Sequence, residues 1–500
     1  MIVKARCQSR WWWVVCPVGL ALALHWGVIL GRQFDGLYGQ DAFAYYDYAV
    51  QLWESVRHLR FPPPFYWPVG YPSLVAAGFT LTGLSPLSGQ IVSTLAGTGV
   101  VVLTYVLARD LLIQEQTSVE TARWVGVVAS LLAAASGQLW QWSITVMSDT
   151  SALFWATLSV WALVHYGETR RLHWLLLTAF ALAWAMMTRW IYALLVLPFG
   201  AYWVQVVTGC RQRSAVRHLL PVGVVGLVVL APQIVLSIAF PDPLLGHQWL
   251  VSWSPFNALG REFETVDGHA VYPLPVALFY AKAAASPRFL FPLFTPFLFL
   301  GLGIVAWRRW WKVGVLLLGW GAATYGFLCG IPYQNFRFTL ALLPVIVIIT
   351  ALGLHQLWEW LTPRWRPLLL IYLLVGLIGG LWYSNRVLDE FIDRKEADVA
   401  VARWVENQVA ADSRVLAFGL TLTLQHYTPL DIHELFDLST EDLQSLLTDS
   451  RPTYLLVVVE SLQRQWLGHS PERNYRWLRD GPGLVPLGTQ AGYTLFRLVR

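Results

Sequence analysis

The feature that most constrains this chain is a succession of long apolar runs separated by short, basic connections. A helix that crosses the hydrocarbon layer needs about 20 apolar residues. Eleven runs can be marked: 11–30, 87–108, 124–140, 149–166, 173–187, 190–207, 219–240, 289–306, 313–331, 338–360 and 367–385. Arg189 interrupts the fifth and sixth, which can also be read as one broken helix. Charged residues make up only 13% of the 500, against 56% hydrophobic, and mean hydropathy is +0.50. Soluble domains carry about 25% charge, so a water-soluble globular chain is excluded, as are a disordered chain and a disulfide scaffold. The fold class expected is a polytopic α-helical membrane protein with about 11 transmembrane helices. The 28 Trp and 20 Tyr suit interfacial belts. The net charge of +5 is no nucleic-acid signature, because most basic residues punctuate apolar runs.

Those basic residues set the expected sidedness. Cytoplasmic connections are rich in Lys and Arg. With the N-terminus inside, the inner segments hold Lys4, Arg6, Arg10; Arg109, Arg123; Arg170, Arg171; Arg211, Arg213, Arg217; Arg308, Arg309, Lys312; and Arg364, Arg366. Every inner connection then carries at least two, and eleven spans put the C-terminus outside. No small-residue cleavage site follows the first run, so it is read as an uncleaved span. Cys7, Cys16, Cys210 and Cys329 show no CxxC spacing, which gives no indication of a metal knuckle or a disulfide framework.

Two outer connections are long, about 31–86 and 241–288, and long loops in compact proteins tend to be functional. Residues 41–59 read as an amphipathic interfacial helix. Tyr45, Ala49, Leu52, Trp53, Val56 and Leu59 form its apolar stripe, with Asp47, Glu54, Ser55 and His58 on other faces. A second short helix is expected after Pro72. From about 390 the charge rises and the pattern turns soluble. A helix is expected over 397–411, strands at 414–419, 453–460 and the final GYTLFRLV, and a capped helix at 439–447. The division expected is a membrane domain over 1–388 and a small C-terminal α/β extracytoplasmic domain over 389–500.

The chain has no P-loop, no GxGxxG after a strand, no HExxH and no GxSxG, which disfavours a nucleotide-consuming enzyme. The informative residues are ionisable groups at outer span ends, because such groups are costly in a membrane and usually mark function. Asp41 opens the amphipathic helix and Asp149 opens the fourth span. For both, an N-cap is the competing reading, with Ser148 a rival cap at the second. Arg189 and Arg337 stand at outer ends of later spans, where snorkelling is the bland alternative. All four fall on one expected membrane face. Two acids and two guanidinium groups there suit a phosphate-bearing lipid. Asp35 and Asp47 are weaker candidates. The 241–288 loop adds His247, Glu262, Glu264, Asp267, His269, Lys282 and Arg288. These read mainly as solvated loop charge, although a metal site of His and carboxylate is possible. Lys282 and Arg288 could pair with a lipid phosphate or anchor headgroups.

In order and sidedness, these features resemble the GT-C membrane glycosyltransferases, above all the protein O-mannosyltransferase and lipid A aminoarabinose transferase group. The likeness covers roughly residues 11–385. It is carried by YGQDAFAYYDYA (38–49), YWPVGYPSLVAAGFTLTG (66–83), STLAGTGVVVLTYVLARDL, MSDTSALFW (147–155), AMMTRWIYALLVLPF (185–199) and FRFTLALLPVIVI (336–348). The resemblance implies Asp41 as the catalytic acid residue acting as base. It implies Asp149 as a second acid near the acceptor or a metal, and Arg189 and Arg337 facing the lipid phosphate or the site. Tyr45, Lys282 and Arg288 join them as donor-binding candidates, and a divalent metal ion is possible, with Asp149 and His269 as ligands. Many relatives carry a second acid directly after the first; here that position is Ala42.

The expected function is that of an inverting glycosyltransferase in the plasma (inner) membrane, N-terminus cytoplasmic. Its partners would be a polyprenyl-phosphate sugar donor and a hydroxyl-bearing glycan, lipid or protein acceptor, with no nucleic acid. The rival class is a transporter or flippase for a lipid-linked or small substrate. Transporters often show internal repeats and midplane charges, and the sequence shows neither.

Overall fold

The computed structural model describes residues 12–208, 217–241, 251–265, 267–448 and 450–499. Lys4, Arg6, Arg10, Cys7, Cys210, Arg211, Arg213 and His247 lie outside the described residues. The chain divides into two compact units. The first comprises Met1–Gly36, Tyr48–Ala258 and Val276–Leu388, and the second Leu37–Asp47, Leu259–Pro275 and Asp389–Arg500.

The first unit is helical. Helices α1 (Trp12–Gly31), α3 (Gly70–Thr82), α4 (Leu87–Gln114), α5 (Val119–Ala134), α6 (Gly137–Ile144), α7 (Ser148–Thr169) and α8 (Leu172–Thr188) follow one another along the chain, with α2 (Gln40–Arg57) between α1 and α3 and shared with the second unit. They are continued by α9 (Val196–Thr208), α10 (Leu219–Ala239), α11 (Val276–Ala281), α12 (Thr295–Trp307), α13 (Gly319–Cys329) and α14 (Leu343–Trp360). Helix α4 lies at the centre and packs on α1, α3, α5, α6 and α7. Small residues let backbones approach, which is how helices associate where lipid offers no hydrophobic drive. A Cβ on Gly301 would strike the carbonyl of Ile349, and one on Gly353 that of Phe297, so α12 and α14 meet at van der Waals distance. Polar locks accompany the apolar core. Buried Asp110 accepts from Arg109 Nε (2.7 Å), Trp161 Nε1 (2.9 Å) and His165 Nε2 (3.1 Å), tying α4 to α7.

Among the described residues, six helices are long and apolar enough to cross a membrane. A bent pair, α5 and α6 at 59°, makes a seventh. This pair replaces the straight run expected over 124–140. The runs Leu172–Thr188, Trp190–Val206, Val276–Ala285 and Pro292–Trp307 are shorter apolar helices. Arg189 breaks its run, as the sequence suggested: it is extended (φ −152°, ψ 123°) between α8 and a 3₁₀ turn at Trp190–Leu195.

The expected separate helix at 397–411 is not separate. Helix α15 runs unbroken from Arg366 to Gln408, from apolar span into charged sequence. Backbone i→i−4 bonds are indifferent to side-chain polarity, and no proline interrupts the helix after its first turn.

The second unit is built on a five-stranded sheet. Strands β3 (Arg414–Ala417), β4 (Asp431–Glu434) and β5 (Thr453–Val457) are parallel, and β6 (Leu484–Gln490) and β7 (Tyr493–Leu498) are antiparallel, in the order β4-β3-β5-β7-β6. Every residue of β3 and β5 is buried, as strands covered on both faces require. Pro486 sits on the edge strand β6, where its missing N–H costs nothing and a register shift follows. The predicted cap holds: Ser439 Oγ accepts from Asp442 N (3.1 Å), and Asp442 Oδ2 accepts from Ser439 N (3.0 Å). One element was not expected. Strands β1 (Glu262–Thr265) and β2 (Gly268–Val271) pair as an antiparallel hairpin.

Candidate active site

Three candidate residues from distant sequence positions meet in the first unit. Each comes from a place where a helix starts or fails. Asp149 lies in the first turn of α7, two residues past its cap; the N-cap is Met147, which makes no side-chain cap bond. The capping alternative for Asp149 therefore falls away. Arg189 stands in the extended break after α8. Arg337 lies in the 3₁₀ turn Phe336–Leu342, whose cap is Asn335 Oδ1 accepting from Arg337 N (3.0 Å).

Asp149 Oδ1 accepts from Arg189 Nη1, and Arg337 Nε lies 3.6 Å from the same oxygen. The Asp149 side chain is 5% exposed, that of Arg337 12% and that of Arg189 21%. Buried charge persists only when paired, so snorkelling no longer describes these arginines. Asp149 Oδ2 is buried without a hydrogen-bond partner among the described residues. Aromatic faces fix the guanidinium planes. Phe338 lies under both, its ring centre 5.3 Å from Arg189 Cζ and 5.6 Å from Arg337 Cζ, and Trp142 lies 5.5 Å from Arg337 Cζ. Arg189 has no second hydrogen-bond acceptor among the described residues, so its remaining N–H groups are available to an oxyanion.

Asp41 belongs to the second unit. Gly39, at φ +73°, turns the chain, and Asp41 then occupies the first turn of α2. Tyr45 is buried (4% exposed), a packed residue of the same segment. Phe43 and Tyr46 pack on His426, with ring centres 5.5 and 5.8 Å apart. The expected apolar stripe is buried at Tyr45 and Ala49, but Val56 is 62% exposed and Leu59 lies beyond the helix end. Asp47, expected toward water, is half-buried, and burial pushes its carboxyl up to about 6.

The 241–288 loop holds more structure than solvated charge. His269 Nδ1 lies 2.6 Å from Glu264 Oε1 across the hairpin. Asp267, at its tip, has a carboxyl raised above its ordinary range, first by burial and then by the charge of Asp41. The sequence reading counted Asp267 among solvated loop charges and missed the hairpin, although Asp-Gly at 267–268 is a hairpin signal. Lys282 is exposed in the first unit, and the Arg288 carbonyl accepts from Gln138 N (2.9 Å). Neither is an ion-pair partner of Asp149. Among the described residues no group of three or more His, Cys, Asp or Glu is arranged to hold a metal ion. Asp149 instead takes guanidinium partners and His269 a carboxylate.

Residues 67–236 match the family model of dolichyl-phosphate-mannose-protein mannosyltransferases. No curated protein matches the sequence. Among solved structures, ArnT from Cupriavidus metallidurans in the apo state superposes with a TM-score of 0.66 at 15% identity, covering 97% of each chain. The same protein bound to undecaprenyl phosphate gives 0.64 at 14%, covering 98% of each. The apo oligosaccharyltransferase of Archaeoglobus fulgidus gives 0.55 at 11%, covering 91% of this chain and 70% of that one. At these identities the structural likeness is one of fold. The family model thus matches one part of the helical unit, and the fold is the one shared with ArnT and the oligosaccharyltransferase.

Proposed function

We propose that this chain is an inverting glycosyltransferase. It moves a hexosyl or pentosyl group from a polyprenyl-phosphate-linked donor to a hydroxyl of a glycan, lipid or protein. The reaction belongs to the outer face of the plasma membrane, with residues 1–388 as catalytic membrane domain and 389–500 as outer domain. The observation that carries this reading is the pair of guanidinium groups sharing the one buried carboxylate of Asp149. Guanidinium geometry suits phosphate, and Arg189 has N–H groups left over from Asp149 to offer it. ArnT, of similar fold, has been crystallised with undecaprenyl phosphate, which supports a lipid phosphate as that anion.

In this reading Asp41 is the general base. An acceptor hydroxyl has a high pKa and needs a positioned base to become a nucleophile. Its proton passes to the Asp41 carboxylate as its oxygen attacks the anomeric carbon. The bond from that carbon to the phosphate oxygen breaks, and the leaving polyprenyl phosphate takes the electron pair. Arg189 and Arg337 meet the charge that develops there. A single displacement inverts the anomeric configuration. Lys282 and Arg288 are assigned to anionic headgroups nearby.

The test is transfer by purified protein supplied with radiolabelled polyprenyl-phosphate sugars. Label should move from lipid to acceptor, and Asp41→Asn should abolish transfer at normal expression. Wild-type turnover in that variant removes Asp41 from the mechanism. Intact labelled lipid crossing between leaflets would instead support a flippase.

A further inference from the structure

The proposed base lies in a unit that also contains the 262–271 hairpin and the C-terminal domain. What holds the hairpin is specific. Gln465 Nε2 donates to the carbonyl of Asp267 (2.7 Å), and the Gln465 carbonyl accepts from His269 N (2.8 Å). One residue of the C-terminal domain thus satisfies backbone groups on both sides of Gly268. Gly268 is required at that point for two reasons. Its φ is +87°, which disfavours any side chain, and a Cβ there would collide with the Gln465 carbonyl. A second tie lies alongside, where Glu264 Oε1 meets His269 Nδ1 and its other oxygen lies 3.9 Å from His469 Nε2. The residue so held at the tip is Asp267, whose carboxyl feels the charge of Asp41.

We propose that Gln465 is a positioning residue for the glycosyl transfer: by clasping the hairpin on either side of Gly268, it fixes where the Asp267 carboxyl is presented. This gives the C-terminal domain a role in the reaction. The inference rests on Asp41 being the base. Gln465 is exposed, and its substitution leaves the buried core of its domain intact. Gln465→Glu keeps the length of the side chain but removes the N–H that reaches Asp267. Gly268→Ala attacks the same contact from the opposite side.

The experiment uses the full chain in lipid nanodiscs. The donor is the one wild type turns over fastest from a panel of hexosyl and pentosyl polyprenyl phosphates. Hydrogen exchange of the 262–271 peptide is followed alongside. Gln465→Ala, Gln465→Glu and Gly268→Ala should each speed exchange of that peptide. Each should lower kcat by about tenfold or more with donor KM within about twofold, as expected when only reacting geometry is lost. Asp267→Asn should lower kcat similarly, and adding Gln465→Ala to it should cost little more. Unchanged hairpin exchange in the Gln465 variants overturns the clasp. Faster exchange with wild-type kcat overturns the positioning role. Full activity in Asp41→Asn would sink the base assignment instead, and the exchange result would stand apart from it.

Discussion

At the scale of single residues, the arrangement turns on Asp149. Its carboxylate stands between two arginines that are 148 positions apart, and one aromatic ring, Phe338, backs both guanidinium groups. Removing one member of a buried charge cluster leaves the others uncompensated, at a cost of about 3 kcal/mol or more. Asp149→Asn is therefore expected to lower the thermal midpoint of the detergent-solubilised protein. If a lipid phosphate binds the same guanidinium groups, added polyprenyl phosphate should recover part of the loss by mass action. A variant as stable as wild type, with no response to the lipid, would show that these charges are not energetically joined. Asp149, Arg189 and Arg337 were all visible in the sequence as ionisable residues at span ends. Their pairing was not, because no spacing rule reports contacts over 40 or 188 residues. Phe338 was hidden for a different reason: a phenylalanine in an apolar run looks like any other core residue.

At the scale of elements, apolar runs located most helices and missed the points where those helices fail. The break at Arg189 carried a signal, a charge inside an apolar run. The bend between α5 and α6 carried only Ser136 and Gly137. The continuation of α15 past Leu388 ran against the change in composition. That change marks a new environment for the side chains and leaves the helix free to continue. Helix α2 gives the prediction that belongs here. Burial on this helix raises Asp47 from 3.8 to about 6. The folded chain then holds a proton that the unfolded chain releases, so Asp47 favours the fold below pH 4. That contribution fades as pH rises through about 6 and is absent at neutral pH, where an ionised buried carboxylate is a cost. Asp47→Asn removes that cost. Its melting temperature should exceed that of wild type at pH 7.5, and the gap should narrow at pH 4.5. Parallel melting curves for the two proteins across that range would show that Asp47 is solvated like a surface carboxylate.

For the whole molecule, sidedness is the property on which the proposed chemistry most depends. A polyprenyl-phosphate donor and a base in the first long connection can meet only on one face. The argument for the outer face is the clustering of Lys and Arg in alternate connections, and transmembrane orientation follows that bias. The described part of the chain offers suitable reporters on both predicted sides. Leu467 in the C-terminal domain is 58% exposed, and Trp307, next to Arg308 and Arg309, is 88% exposed. With Cys7, Cys16, Cys210 and Cys329 replaced by serine, a single cysteine is placed at either position. A membrane-impermeant maleimide is then applied to intact cells. Leu467→Cys should label at once, and Trp307→Cys only after the membrane is opened. The reverse pattern would put Asp41 on the side where nucleotide sugars are available, and a lipid-linked donor would lose its rationale. Labelling at both positions in intact cells would mean that the number of crossings between them is even, against the odd number the eleven-span arrangement requires.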